Sequence, residues 1–519
     1  MRRLWAVVLG VGVWGCSAED AGGPATGAEA PVVVAPEAPQ VEAPPAETPA
    51  PVEPAPPPGE EQEPGPSASC SGPDGTARLA WSYDAAWDLT VDFRGTMDAD
   101  GHTYWTECES SYWSDEDPSQ LDCHLVSATH DGAIRYRLAL RQPGQRATHA
   151  VDAERVYLTA GYATLSAHSR ADGRELWSAP LGELRTGDAL ERYSLRVESV
   201  ALSPPYVLAV VRHTLEDADG KNLLVAVHAD TGAVAWTALT PAMQSPLVVD
   251  AAGNVYGGSV DDAVPATTLF SYSADGALRW STRRPGVLRP TAVDGGTLLL
   301  NRSELLDASR GTPLTTLATA TPSPSPYALG RSTSLFGRAA FQEGRVLVLP
   351  DMPCEGEGCP TERHPGDTFL YGLDPEDGSV RWHRAVGAWP MAPLLTRRDS
   401  LLLVDRPVDA ECELYGCTGD DSHYTSVLRE LDLDGRELST CALPGEAPYI
   451  TPPALHGGRV VLGAWTNWSA SNDWTQRMGI RAFDLSVPTE PATTGWVGAG
   501  GGNSRSGRSE AAPLSAQTR

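Results

Sequence analysis

Apolar and polar residues change places in a fixed order along "SPLVVDAAGNVYGGSV", continued by "TTLFSYSADGALRW". The pattern predicts strand, Ala-Gly-Asn turn, strand, loop, strand, Asp-Gly turn, strand. Asp-Gly between alternating apolar runs is a hairpin signal, because both turn residues can take positive φ. Strict alternation in the last strand puts Leu278 and Trp280 on one face. It does the same for Val234 and Trp236, Val380 and Trp382, and Ile134 and Tyr136. Such a unit is a four-stranded antiparallel sheet with two apolar faces, and it cannot stand alone. Repeating it around an axis buries each face against a neighbour, which predicts an all-β fold, a β-propeller.

The number of blades follows from the recurring turn. Fourth strands follow Asp131-Gly132, Asp172-Gly173, Thr231-Gly232, Asp275-Gly276, Arg310-Gly311, Asp377-Gly378 and Asp434-Gly435. Four residues beyond each glycine stand Tyr136, Trp177, Trp236, Trp280, Thr315, Trp382 and Ser439. An eighth repeat begins at "APYITPPALHGGRVVLGAW" and continues with "RMGIRAFDL", but has no Gly-x-x-x-Trp strand. The missing strand is predicted from the other end of the chain, in "ARLAWSYDA", Ala77 to Ala85, which carries Trp81. Eight blades closed by an N-terminal strand are expected, or seven if Asn301–Ala320 is not part of a full blade. The aromatics Trp81, Tyr136, Trp177, Trp236, Trp280 and Trp382 read as the side chains that dock each outer strand on its neighbour.

These repeats resemble a known family. "FLYGLDPEDGSVRW" and "LVAVHADTGAVAW" are similar to the pyrroloquinoline-quinone-type (PQQ-like, quinoprotein) β-propeller repeat, across roughly Ala77 to Leu485. With the Trp81 strand and the N-terminal "MRRLWAVVLGVGVWGC", the chain also resembles the outer-membrane assembly lipoproteins of this class. The segment "GWVGAGGGNSRSG", Gly495 to Gly507 with Trp496 near its start, is similar to one found beside such repeats. Fold resemblance does not carry the family's chemistry with it. Quinoprotein dehydrogenases of this fold hold their cofactor against a disulfide between adjacent cysteines, and this chain has no Cys-Cys pair.

"MRRLWAVVLGVGVWGC" has two arginines, an apolar run from Leu4 to Val13, and Gly15-Cys16. That is the layout of a secretory signal over residues 1–16. Val13 to Cys16 resembles a bacterial lipobox, which implies cleavage before Cys16 and lipidation of its thiol. Residues 17–69 carry fourteen prolines and ten acidic residues with no Lys or Arg. Such a segment cannot bury enough apolar surface to fold and reads as a disordered tether. At about 3.1 Å per residue it reaches on the order of 150 Å. The propeller is then expected over 70–509 and a disordered tail over 510–519.

Charge narrows the partners. The 519 residues hold 67 acidic against 39 basic side chains, a net charge of -28. Nucleic acid, which needs phosphate-neutralising Lys and Arg, is not an expected partner. Setting Cys16 aside leaves eight cysteines, an even number in an exported chain. Close spacing pairs Cys108 with Cys123, Cys354 with Cys359, and Cys412 with Cys417, leaving Cys70 for Cys441. A zinc site built from the Cys-x4-Cys pairs with His364 is the sharper alternative. "DADG" at Asp98–Gly101 and Asp217–Gly220 has carboxylates spaced for calcium, although Asp-Gly turns account for them without metal. No cofactor and no metal are expected.

Candidate binding residues sit on the connections between second and third strands. These run long at Thr106–Asp122, Thr214–Asn222, Asp261–Thr267, Pro350–Asp367, Arg406–Tyr424 and Thr466–Arg477. Strand alternation places them all at one end of the ring, where binding usually lives. They carry acids and aromatics, among them Trp113, Asp115, Glu116, Asp117, Tyr415, Asp420, Asp421, Trp468 and Trp474. The expected function is a non-enzymatic cell-envelope lipoprotein, held to a membrane, the outer one by resemblance, through its lipid. Its loop face would bind a protein or an envelope glycan. The alternative is a PQQ- or calcium-dependent oxidoreductase.

Overall fold

The computed structural model describes the strands and tight turns between residues 72 and 493. Residues 1–71 and 494–519 lie outside the described residues, as do several connections, the longest being 110–122, 141–147, 185–194, 214–220, 317–338, 351–367, 406–425 and 466–477. The described residues form eight four-stranded antiparallel sheets. Blades 1 to 7 are each built from four consecutive strands, over 89–140, 149–180, 195–241, 248–285, 290–316, 340–386 and 394–442. The repeat around Asn301–Ala320 is thus a complete, if short, blade. Blade 8 takes Ala454–His456, Arg459–Trp465 and Met478–Asp484 from the C-terminal part and Arg78–Asp84 from the N-terminal part. The closing strand pairs antiparallel with Met478–Asp484, as expected.

Apolar clusters fill the seams all the way round. Tyr104 and Leu125 of blade 1 meet Val151 and Leu158 of blade 2. Trp177 of blade 2 meets Val211 and Val225 of blade 3, and Leu224 of blade 3 meets Phe270 of blade 4. One cluster runs from Tyr256 through Leu299 to Phe341, joining blades 4, 5 and 6. Ala340 meets Leu403 between blades 6 and 7, and Leu402 meets Leu462 between blades 7 and 8. Ala482 and Val461 of blade 8 meet Phe93 and Trp105 of blade 1, completing the ring.

The fourth strands differ from strict alternation at one place. In all eight blades the pairing of third and fourth strands slips by one residue between the second and fourth positions after the turn glycine, or between Leu79 and Trp81 in the closing strand. Tyr272 faces Leu278 while its neighbour Ser271 faces Trp280. Residues directly opposite share a side of the sheet, and neighbours on one strand do not. Leu278 and Trp280 therefore lie on opposite faces, as do Val234 and Trp236, Val380 and Trp382, and Ile134 and Tyr136. The expected shared face is corrected by this bulge, which inserts one residue and reverses the alternation beyond it.

The bulge aims each ring at the next blade. The indole Nε1 of Trp81, Trp177, Trp236, Trp280 and Trp382 donates to the carbonyl of His130, Ala229, Ala274, Ala308 and Leu433, at 2.8–2.9 Å. Tyr136 donates to the Arg170 carbonyl and Thr315 to that of Asp377. Each acceptor belongs to the third-to-fourth turn of the following blade. The turn glycine lies on the same ring: a methyl built on Gly132, Gly232, Gly276 or Gly311 would come 2.6–2.7 Å from an indole carbon. This joins the two halves of the repeated motif. The glycine receives the preceding blade's ring, and the aromatic four residues later passes the contact on.

Gly276 and Gly286 both have φ of 87°, but only Gly276 lies against a ring, that of Trp236. Alanine at either position is strained by about 1 kcal/mol or more. Gly276→Ala is expected to cost about 1–3 kcal/mol beyond Gly286→Ala, the added amount being overpacking against the indole. Urea unfolding of the two variants measures the difference.

Candidate functional site

Each blade has two ends, and they are built differently. At one end lie the first-to-second and third-to-fourth turns. There an aspartate accepts from backbone N–H groups of its own turn and from a tyrosine hydroxyl of the following strand. Asp98 takes Tyr104 at 2.7 Å, Asp152 takes Tyr157 at 2.6 Å and Asp250 takes Tyr256 at 2.8 Å. The bulge arginine closes the set in two blades. Arg135 reaches Tyr104 and Ser127, and Arg279 reaches Tyr256 and Ser271. Arg459 of blade 8 likewise bridges Asp484 of its own blade and Asp131 of blade 1. The bulge puts Arg135 and Arg279 on the side of the aromatic, which alternation alone does not reveal.

Asp98, Asp100 and His102 bring their ligand atoms within 4.8 Å of one another, the one such group among the described residues. Its carboxylates are already engaged. Asp98 Oδ1 accepts from the N–H groups of Asp100 and His102, and Oδ2 from Tyr104 and the His102 ring. The Arg170 guanidinium from blade 2 sits 2.5 Å from Asp100 and 3.4 Å from Asp98. An arginine stands where calcium would need to stand, and the group reads as a turn and an inter-blade tie. The second "DADG", at 217–220, lies outside the described residues.

At the opposite end lie the second-to-third connections. They fall at 351–367, 406–426, 466–477 and 110–122 in blades 6, 7, 8 and 1, which are consecutive around the ring. In blades 2, 4 and 5 only 161–163, 262–265 and 301–303 separate the strands. The expected long connection at Asp261–Thr267 is shorter, because both strands of blade 4 extend into it. Blade 3 is intermediate, with 214–220. Long connections thus share one continuous half of this end. Trp113, Asp115, Glu116, Asp117, Tyr415, Asp420, Asp421, Trp468 and Trp474 all lie outside the described residues, as do Cys16, Cys70, Cys354, Cys359, Cys412, Cys417 and His364.

What the structure does place is the footing of those loops. Cys108 and Cys123 stand directly opposite and form the expected disulfide across the base of 110–122. Beside it Glu107 is buried, accepting from Trp105 Nε1 at 2.9 Å and lying 3.6 Å from Arg137. Burial and Glu107 push the nearby Tyr83 phenol up to about 12. At the root of the blade 7 connection, fully buried Asp405 accepts from Arg429 Nε at 2.6 Å. Arg429 and Arg384 of blade 6 both reach Glu437. Glu107 lies near the end of its strand and Asp405 ends its own, and neither carries a motif, so neither stood out in the sequence. Cys441 is also disulfide-bonded, to a cysteine outside the described residues.

The chain matches the family of the outer membrane protein assembly factor BamB over residues 98–286 and 220–407. It belongs to that family. The match spans blades 1 to 6 and reaches into blade 7 of this BamB-family propeller. No curated protein matches it. Solved structures that resemble it include a quinohemoprotein alcohol dehydrogenase from Comamonas testosteroni, 13% identical over 79% of this chain and 76% of that one, TM-score 0.47. BamB from Moraxella catarrhalis is 15% identical over 79% and 100%, TM-score 0.42. A europium-containing methanol dehydrogenase is 14% identical over 79% and 93%, TM-score 0.46. No helix among the described residues is long and apolar enough to cross a membrane.

The turn end makes stability depend on pH in two windows. Burial raises the Asp98 carboxyl, but hydrogen bonds from Tyr104 and from the His102 backbone and ring outweigh it and hold the group below its ordinary value. Its contribution is complete above the unfolded value, about 3.9, and is lost as pH falls through the lower folded value. Asp98→Asn is expected to cost about 1–3 kcal/mol at pH 7, with the gap closing in acid. Burial, then the adjacent aspartate, raises the phenols of Tyr104, Tyr157 and Tyr256. The folded state keeps these protons above about pH 10, so stability falls as pH rises beyond that point. Phenolate absorbance should therefore rise together with unfolding.

Proposed function

We propose that this chain is a non-enzymatic envelope protein whose loop end binds a protein or an envelope glycan, the propeller being the rigid mount. Membership of the BamB family is the observation that carries the reading. The division of labour between the two ends supports it. The described turn end engages Asp98, Asp152 and Asp250 with Tyr104, Tyr157 and Tyr256, and Arg135 and Arg279 with Tyr104 and Tyr256. The opposite end gathers its long connections over blades 6, 7, 8 and 1, on footings braced by the Cys108–Cys123 disulfide and buried Glu107 and Asp405. Aromatics such as Tyr415, Trp468 and Trp474 then supply contact area, and a polar rim supplies specificity.

Capture of partners from detergent-solubilised envelope tests this. Trp468→Ala with Trp474→Ala should weaken capture by on the order of tenfold or more, the effect of losing central aromatic anchors. The same pair should leave thermal unfolding within a degree or two of the parent. Equal capture by the parent and this variant would sink the loop-end assignment. Retention of pyrroloquinoline quinone at one equivalent, with alcohol-dependent dye reduction, would establish the oxidoreductase alternative instead.

The lipid anchor is part of the same proposal. A diacylated Cys16 followed by the Pro- and Glu-rich stretch would hold the propeller at a membrane with a reach set by the tether. Mass spectrometry of the mature N-terminal peptide is expected to show lipid on Cys16. An unmodified cysteine there removes the anchor and leaves the propeller assignment standing.

A further inference from the structure

Seven seams are locked by a side chain of one outer strand on the next blade's third-to-fourth turn. The seam between blades 7 and 8 cannot be. Blade 8 takes its outer strand from the other end of the chain, so it has no hairpin there to receive a ring. Blade 7 correspondingly carries Ser439 where six blades carry an aromatic and blade 5 carries Thr315.

The first and last described segments, 72–77 and 490–492, are brought to this seam instead. On the outer side, Thr76 bridges parallel to Ala442, the Ala77 N–H donates to the Ala442 carbonyl at 2.8 Å, and Gly72 N–H donates to Thr76. Ala77 is buried in one cluster with Cys441, Leu443, Leu455 and Phe483. Cys441, 1% exposed, is disulfide-bonded. Cys108 and Cys123 are bonded to each other, so its partner is one of the remaining cysteines. Cys70 precedes Gly72 by two residues. On the other side, the Arg397 N–H donates to Glu490 and the Ala492 N–H to Leu395, carrying the C-terminal segment from blade 8 onto the first strand of blade 7.

We infer that the seam between blades 7 and 8 is a redox-dependent latch, in which the Cys441 disulfide pins the N-terminal segment and so holds the closing strand in the ring. Every other outer strand is tied to its blade by a short hairpin. The closing strand has no such link, and the disulfide supplies it. A dithiol reductant would pass two electrons and two protons to the bridge, break its S–S bond, leave two thiols and depart as a disulfide. The closing strand, Arg78–Asp84, would then fray and expose the edge of Met478–Asp484.

Hydrogen exchange on the full chain, read by mass spectrometry, tests the latch. After dithiol treatment, exchange in Arg78–Asp84 and Met478–Asp484 should accelerate by roughly tenfold or more, with blade 4 unchanged. Cys108→Ser with Cys123→Ser should respond like the parent, since that bridge lies within blade 1. Cys441→Ser should exchange fast at the closing strand without reductant and not respond to it. If that variant does not fold, reduction of the folded parent gives the same readout. Unchanged exchange on reduction, or acceleration spread evenly over all blades, overturns the latch. So does non-reducing peptide mapping that joins Cys441 to Cys354, Cys359, Cys412 or Cys417 rather than Cys70.

Discussion

The contact on which the structure depends is small: an aromatic ring of one blade lying on the turn glycine of the next. Gly276 must have no Cβ because the Trp236 ring occupies that space, and it must take positive φ because the turn requires it. Both demands fall on one residue. The indole N–H then reaches a carbonyl of the same turn, so the ring is held by apolar contact and by a hydrogen bond at once. Repeated from blade to blade, the arrangement sets the spacing of neighbouring sheets. The apolar clusters in the seams fill the distance so defined.

A lock of this kind consumes one end of every blade. The turn end is crowded with docked rings, with Asp–Tyr pairs and with the arginines that the bulge throws to the same side. A ligand entering there would have to displace groups that satisfy one another, which is costly for buried polar atoms. The other end has no part in the locks. Its connections can lengthen without disturbing a seam, and in blades 6, 7, 8 and 1 they have done so. The buried Glu107 and Asp405, each paired with an arginine from another strand of the same blade, stiffen the strand ends from which those connections leave.

Closure by strands from both termini has a consequence for the same locks. It removes the open edge, and Trp81 of the closing strand docks on blade 1 as any outer strand would. Yet it also deprives blade 8 of the hairpin that would have received blade 7. The chain compensates at that seam with residues 72–77 outside, 489–492 on the other side, and a disulfide at Cys441. Ser439 and Thr315, which look like the same erosion in the repeat, are therefore different. Thr315 still reaches a turn, through its hydroxyl to Asp377. Ser439 faces a seam with no such turn to reach.

The sequence by itself determined the strand and turn order, the repeat, the closing strand in Ala77–Ala85 and the docking role of the tryptophans. Those features are local or periodic: Asp-Gly turns, alternation and a glycine-to-aromatic spacing can be read along the chain. Only the tertiary structure decided which face each residue takes beyond the bulge. A bulge is two residues opposing one on another strand, so it exists only in the pairing, and the alternation of Leu278 and Trp280 could not reveal it. The same holds for Arg170 between Asp98 and Asp100, for Arg429 on Asp405, and for Glu490 beside Arg397. Each joins residues far apart in sequence or on different strands, where the partner is chosen by the packing of blades and not by any spacing along the chain.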